Sequence, residues 1–105
     1  MIKDDNTNLI GVVDPSEFKT IDDQITNKYK KLDFIFNTHH HQDHIGGNEE
    51  LKKKYNSKIV ASKIDEMKIP NIDYKVVDGD IFEFGKIKFQ ILLLPGHTKG
   101  HIAFY

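Results

Sequence analysis

Leu9-Ile-Gly-Val-Val13 is an apolar run behind a polar stretch, Asp4-Asp5-Asn6-Thr7-Asn8. The run predicts a strand, and Ile2 ahead of the polar turn predicts the tail of an earlier one. Phe18, Ile21, Ile25, Tyr29 and Leu32 then recur at helical spacing. They predict an amphipathic helix over about residues 16–31. Asp14-Pro15-Ser16-Glu17 reads as its start signal: a capping acid, a proline in the first turn and a glutamate three residues on. Leu32-Asp-Phe-Ile-Phe36 predicts a short strand, Asn48–Tyr55 a short charged helix, and Lys58–Ala61 another strand. Residues 62–72 carry only a weak helical or loop signal.

The second half of the chain reads differently. Tyr74–Val77 predicts a strand and Asp78-Gly79-Asp80 a turn. Ile81–Phe84 and Lys86–Ile91 predict a hairpin around Gly85. In the second arm Lys86, Lys88 and Gln90 alternate with Ile87, Phe89 and Ile91, so one face is wet. Leu92-Leu-Leu94 reads as buried on both faces, and Ile102–Tyr105 as a further strand.

Bulk properties narrow the classes. The 105 residues suffice for one domain, and 38% hydrophobic with 30% charged residues suits a soluble globular chain. A net charge of −1 gives no electrostatic reason to expect nucleic acid or an anionic membrane as partner. No apolar run reaches the length of a membrane span, and no leader pattern opens the chain, so a cytoplasmic location is expected. There is no cysteine, which excludes disulfides and leaves His, Asp and Glu as metal ligands. All fifteen basic residues are lysine, a matter of overall composition; Lys52-Lys53-Lys54 is expected on an exposed helix face and Lys99 in solvent.

All six histidines fall in two patches, Thr38-His-His-His-Gln-Asp-His-Ile-Gly-Gly47 and Pro95-Gly-His-Thr-Lys-Gly-His101. Each lies in a glycine-containing loop behind an apolar strand, where rigid scaffolds present functional groups. The first patch holds His39, His41, Asp43 and His44, four candidate ligands in six residues. Residues two apart in an extended segment point the same way, so His39 and His41 can hold one ion while His40 faces elsewhere. Asp43 and His44 can reach a second position. His97 would complete the first ion's set, leaving a coordination site for water. Neutral imidazoles with a carboxylate suit zinc, iron or manganese. His40 and His101 read as supporting or packing groups. Asp14 reads as a helix cap, as an acid orienting a ligand histidine, or as both.

The first patch resembles the main metal motif of the metallo-β-lactamase superfamily, and Leu94-Pro-Gly-His-Thr-x-Gly-His101 resembles the loop giving its third histidine. The combination most resembles the glyoxalase II branch, the hydroxyacylglutathione hydrolases. Val12-Val-Asp-Pro15, Asn48-Glu-Glu-Leu51 and His101-Ile-x-x-Tyr105 fit that branch as well. The resemblance implies an αββα sandwich of four layers and a two-zinc site, with iron or manganese as other occupants. By position, His39, His41 and His97 hold the first metal, and Asp43 and His44 belong to the second. Asp43 would also orient the attacking nucleophile. The implied reaction is hydrolysis of a glutathione thioester, S-D-lactoylglutathione to D-lactate and glutathione, in methylglyoxal detoxification.

Lactonases and iron persulfide dioxygenases share the motif and are the alternative readings, together with an inactive metal-binding fragment. The family's later bridging aspartate, last histidine and glutathione-gripping residues have no counterpart here. The chain is therefore expected to be a partial domain, lacking the first strand and the C-terminal half, with one sheet face left uncovered.

Overall fold

The computed structural model describes residues 2–15, 18–26, 31–38, 47–93 and 102–104. Among these, β1 (Ile2–Asp4), β2 (Leu9–Val13), β3 (Phe34–Phe36), β4 (Lys58–Ser62) and β5 (Tyr74–Val76) form one sheet in that order. β1 is antiparallel to β2, and the remaining neighbours are parallel. Helix α1 (Phe18–Gln24) lies between β2 and β3 in the chain, and α2 (Asn48–Tyr55) between β3 and β4. Parallel strands need such crossovers. A second sheet follows: β6 (Ile81–Phe84), β7 (Ile87–Leu93) and β8 (Ile102–Phe104), all antiparallel.

Side-chain alternation divides the central strands between two cores. Ile10, Val12, Ile35, Ile59 and Ala61 face the helices and pack with Ile25, Leu51 and Ile69. Phe36 and Val60 face the second sheet, where Phe84, Ile91 and Ile102 meet them. One step along a strand reverses the face, so Ile35 and Phe36 belong to different layers. Six of the seven phenylalanines line the layer between the sheets. Among the described residues Phe36 stacks on Phe34 at 6.0 Å and meets Phe82, Phe84, Phe89 and Phe104 edge-to-face, with centroids 5.2–5.7 Å away. Gly11 lies beneath them: a Cβ at that position would stand 2.8 Å from Phe36 Cε2.

Polar contacts stitch the two sheets at the first turn. The buried Asp4 carboxylate accepts from Thr7 Oγ1 at 2.5 Å and from the Lys86 amide at 2.9 Å. These bonds hold its pKa below the ordinary aspartate value. Gly85 has φ +61°, and a Cβ there would run into Asp4 and Thr7. The hairpin therefore needs glycine twice over, for its turn and for this close approach.

Several expectations are refined. The regular helix ends at Gln24, with Ile25 and Thr26 in a wider π-type turn, and Lys31–Asp33 are not helical. Leu32 is buried, which explains its helix-like spacing, but it enters the core from an extended segment. Asp33 fixes that segment, bonding Ile10 through both its amide and its carboxylate. The 62–72 stretch opens with a short 3-10 turn, Lys63–Asp65, then loops. Of the apolar run Leu92–Leu94, Leu92 is half-buried and Leu94 lies outside the described residues. Among the described residues no helix covers the outer face of β6–β7, but that face is largely polar: Glu83, Lys88 and Gln90 are exposed, with Ile81 beside them.

Nor is the lysine run of α2 a simple solvated face. Lys54 pairs with Asp22 of α1 at 2.7 Å, and Tyr55 donates to the same carboxylate. Lys52 reaches the Ser57 carbonyl at 3.2 Å and pairs with Asp73. Lys53 and Lys54 are exposed, as expected of that face, and Lys52 is half-buried.

Candidate metal centre at the ends of the parallel strands

In open α/β sheets, ligands bind beyond the carboxyl ends of the parallel strands. Here β2 runs out at Asp14 and β3 at Thr38. Asp14 has φ +49°, a left-handed conformation that aspartate tolerates better than most residues. Its amide donates to the Phe36 carbonyl at 2.8 Å. Its carboxylate accepts from the Thr38 amide at 2.8 Å and from Thr38 Oγ1 at 2.6 Å. The turn at the end of β2 thus grips the residue at which β3 leaves the sheet. Asp14 thus holds Thr38, the residue immediately before His39 in the sequence.

The Thr38 carbonyl in turn accepts from the Ile102 amide at 2.8 Å. Thr38 is bonded along the chain to His39, and Ile102 to His101. One threonine therefore uses its amide, hydroxyl and carbonyl to join the end of β2, the end of β3 and the start of β8. Residues 38 and 102 are 64 positions apart, and this contact brings the two histidine-bearing connections to a common edge.

A second tie spans the first patch. Asn37 continues the β3 ladder, its amide donating to the Val60 carbonyl at 2.9 Å. Two residues beyond Ile35, its side chain lies on the helix-facing side. There Asn48 Nδ2 donates to Asn37 Oδ1 at 2.6 Å, and Asn37 Nδ2 donates to Asn48 Oδ1 at 3.2 Å, both buried. The Gly47 amide donates to the Pro15 carbonyl at 2.8 Å. α2 begins at Gly47 without a side-chain cap.

His39, His40, His41, Asp43, His44, His97 and His101 lie outside the described residues. Among the described residues there is no group of three His, Asp or Glu able to hold a metal. The supporting residues were less visible in the sequence. Thr38 stood in the motif without a role, Asn48 figured only as a helix start and in the Asn48-Glu-Glu-Leu51 resemblance, and Asn37 stood out in neither way. The available signal for Asn37 was its phase, since a polar residue on the buried face of Ile35 needs a partner.

The shifted carboxyls lie elsewhere. Lys54 first, then Tyr55, lowers the pKa of Asp22 through hydrogen bonds, and Asp22 correspondingly raises that of Lys54. Burial pushes Asp73 up, but the Lys52 ammonium and Ile59 amide outweigh it and leave it below the ordinary value. A shallow cleft lined by Glu49, Lys52, Lys53, Asn56 and Asn71 shares no residue with the Thr38 junction.

Comparison with known proteins bears on the family. Over all 105 residues the chain is 45% identical to the hydroxyacylglutathione hydrolase of Pelagibacter ubique, covering 44% of that protein. It thus spans less than half the length of this curated relative. The crystal structure of ETHE1 from Myxococcus xanthus superposes with a TM-score of 0.85 at 27% identity, over 99% of this chain and 46% of that one. TTHA1623, solved in a di-iron-bound form, superposes with a TM-score of 0.71 at 26% identity, over 88% of this chain and 54% of that one. A sheet pair with helices on one face, histidine segments leaving the strand ends, and a family sequence model matching residues 2–105 together show that the chain belongs to the metallo-β-lactamase superfamily.

Proposed function

We propose that this chain carries the metal-binding loops of a hydrolase acting on glutathione thioesters, with S-D-lactoylglutathione as the first substrate to try. His39, His41 and His97 would hold one ion, and Asp43 and His44 a second. The observation that carries the reading is the Ile102–Thr38 hydrogen bond, which ties together the bases of both histidine segments. The donor chemistry fits. Imidazoles with a carboxylate and no thiolate suit zinc, iron or manganese, and TTHA1623 is a structural relative in di-iron form.

When bound, such a cation supplies Lewis acidity toward a thioester carbonyl and lowers the pKa of water toward neutrality. The chain's own residues supply the position. Asp14 holds both the amide and the hydroxyl of Thr38, from which the first histidine segment departs in the sequence. The Thr38 carbonyl fixes the re-entry of the second segment at Ile102. Asp43 would orient the attacking oxygen nucleophile. The departing thiolate is stable near neutrality and needs little protonation.

The test is metal uptake by the purified chain, read by zinc or cobalt(II) titration, with glutathione release from S-D-lactoylglutathione as the activity readout. Metal uptake by the wild type, lost in His41→Ala and His97→Ala and kept in His101→Ala, is the expected result. A wild type that takes up no metal, or a His41→Ala variant that matches it, overturns the ligand set. Oxygen uptake with glutathione persulfide, in place of thiol release, would assign oxidoreductase chemistry to the same ligands.

A further inference from the structure

The Asn37–Asn48 pair is costly to keep. Two amides out of water must satisfy each other, and two leucines would fill similar volume with no such demand. The pair is nonetheless buried, with Asn37 1% and Asn48 3% exposed. Asn48 opens α2, a helix without a side-chain cap at its start, yet its own side chain is turned back to the end of β3. The bond partners are eleven residues apart. Between them lies the whole of the first histidine patch, from His39 to His44. The Gly47–Pro15 bond holds the same flank beside Asp14. A polar pair that specifies one register is the best-attested use of buried amides.

We infer that Asn37 and Asn48 are positioning residues that set the spacing of the two ends of the first metal loop. They act through the loop and touch neither ion nor substrate. This rests on the metal reading above. It assigns the reciprocal amide pair to ligand geometry, in addition to whatever it contributes to folding. Residues that orient ligands from behind commonly change metal affinity by about 10–100-fold when lost.

A variant series on the chain, read by cobalt(II) affinity and by metal-free melting temperature, separates the two roles. Asn48→Ala is expected to weaken cobalt(II) binding at least about tenfold and to lower the melting temperature. Ser57→Ala removes a buried hydrogen bond to the Leu32 carbonyl at 2.7 Å; it is expected to lower the melting temperature with cobalt(II) affinity unchanged. The decisive protein is the double variant Asn37→Leu/Asn48→Leu. Replacing both partners by apolar groups of similar shape can restore stability, so its melting temperature should recover while cobalt(II) binding stays weak. If affinity recovers with stability, the pair is structural only and the inference falls. It also falls if Asn48→Ala binds cobalt(II) like the wild type, or if Ser57→Ala loses as much affinity. Should Asn48→Ala or the double variant not fold, Asn48→Ser takes its place with the same two outcomes. A wild type that binds no cobalt(II) at all removes the metal reading itself, and this inference with it.

Discussion

The two ends of the parallel sheet are built from the same kinds of polar group and put them to different use. At the amino end, Asp33 bonds Ile10, Ser57 bonds the Leu32 carbonyl, and Asp73 accepts from the Ile59 amide and Lys52. Every one of these ties ends on a strand start or on the connection leading into it. At the carboxyl end, Asp14 grips Thr38, Asn37 pairs with Asn48, and Ile102 donates to Thr38. These ties stand at the flanks of the segments carrying all six histidines. Polar burial at one end closes a scaffold, and at the other, on the inference above, it would aim a loop. A hydrogen-bond inventory alone would not separate them; what separates them is the chain each bond brackets.

The largest perturbation should fail to discriminate the ends. Phe36 is fully buried between the sheets at the end of β3, and its backbone carbonyl also receives the Asp14 amide. Phe36→Ala should cost about 3–5 kcal/mol, against a typical domain stability of about 5–15 kcal/mol. Denaturant titration should show a large drop in midpoint, and stability and metal uptake should fall together. A Phe36→Ala chain close to wild-type stability would mean that the aromatic layer is loosely packed. A sharper cut is Asp14→Ala. It leaves the Thr38 amide and hydroxyl without their carboxylate partner, and cobalt(II) affinity should fall about 10–100-fold. If Asp14→Ala lowers stability and leaves affinity untouched, the carboxyl end is only more scaffold, and the contrast disappears.

How much of this was legible in the sequence depends on which interaction decided each feature. Strand positions followed from apolar runs, because burial on a pleated sheet is a local, period-two demand: Ile35 and Phe36 could be placed as a strand from their neighbours alone. The two-core arrangement also follows once β2, β3 and β4 are parallel, since both faces must then be covered. Leu32 obeys helical spacing and is buried, yet it is extended, held by long-range bonds from Asp33 to Ile10 that no local period announces. Lys52 and Lys54 read as solvated because their partners, Asp73 and Asp22, are more than twenty residues away. The candidate histidine ligands were conspicuous through residue type and spacing. Thr38, Asn37 and Asn48 were not, since Thr and Asn are common in loops and their roles arise only when distant segments meet.

The smallest effect belongs at the amino end. Lys52–Asp73 is a partly exposed pair, with about a quarter of each side chain open to solvent. Such pairs contribute about 0.2–1 kcal/mol, so Lys52→Met should lower stability by no more than that at pH 7, with metal affinity unchanged. Its pH dependence carries more information than its size. The Asp73 pKa is lowered in the folded chain. A depressed carboxyl contributes stability that is present above the unfolded value, about 3.9, and is lost as pH falls through the folded value. Asp4 and Asp22 are lowered as well, so the wild type should weaken steadily below about pH 4. Lys52→Met removes one of the two bonds that outweigh desolvation at Asp73. Its stability difference from wild type should therefore shrink toward zero in acid, where Asp73 is protonated in both chains. Denaturant midpoints at pH 7 and pH 3 measure this directly. A gap that stays constant across that range would show that Lys52 acts through its hydrogen bond to the Ser57 carbonyl and the packing of its stem, with Asp73 held by the Ile59 amide alone.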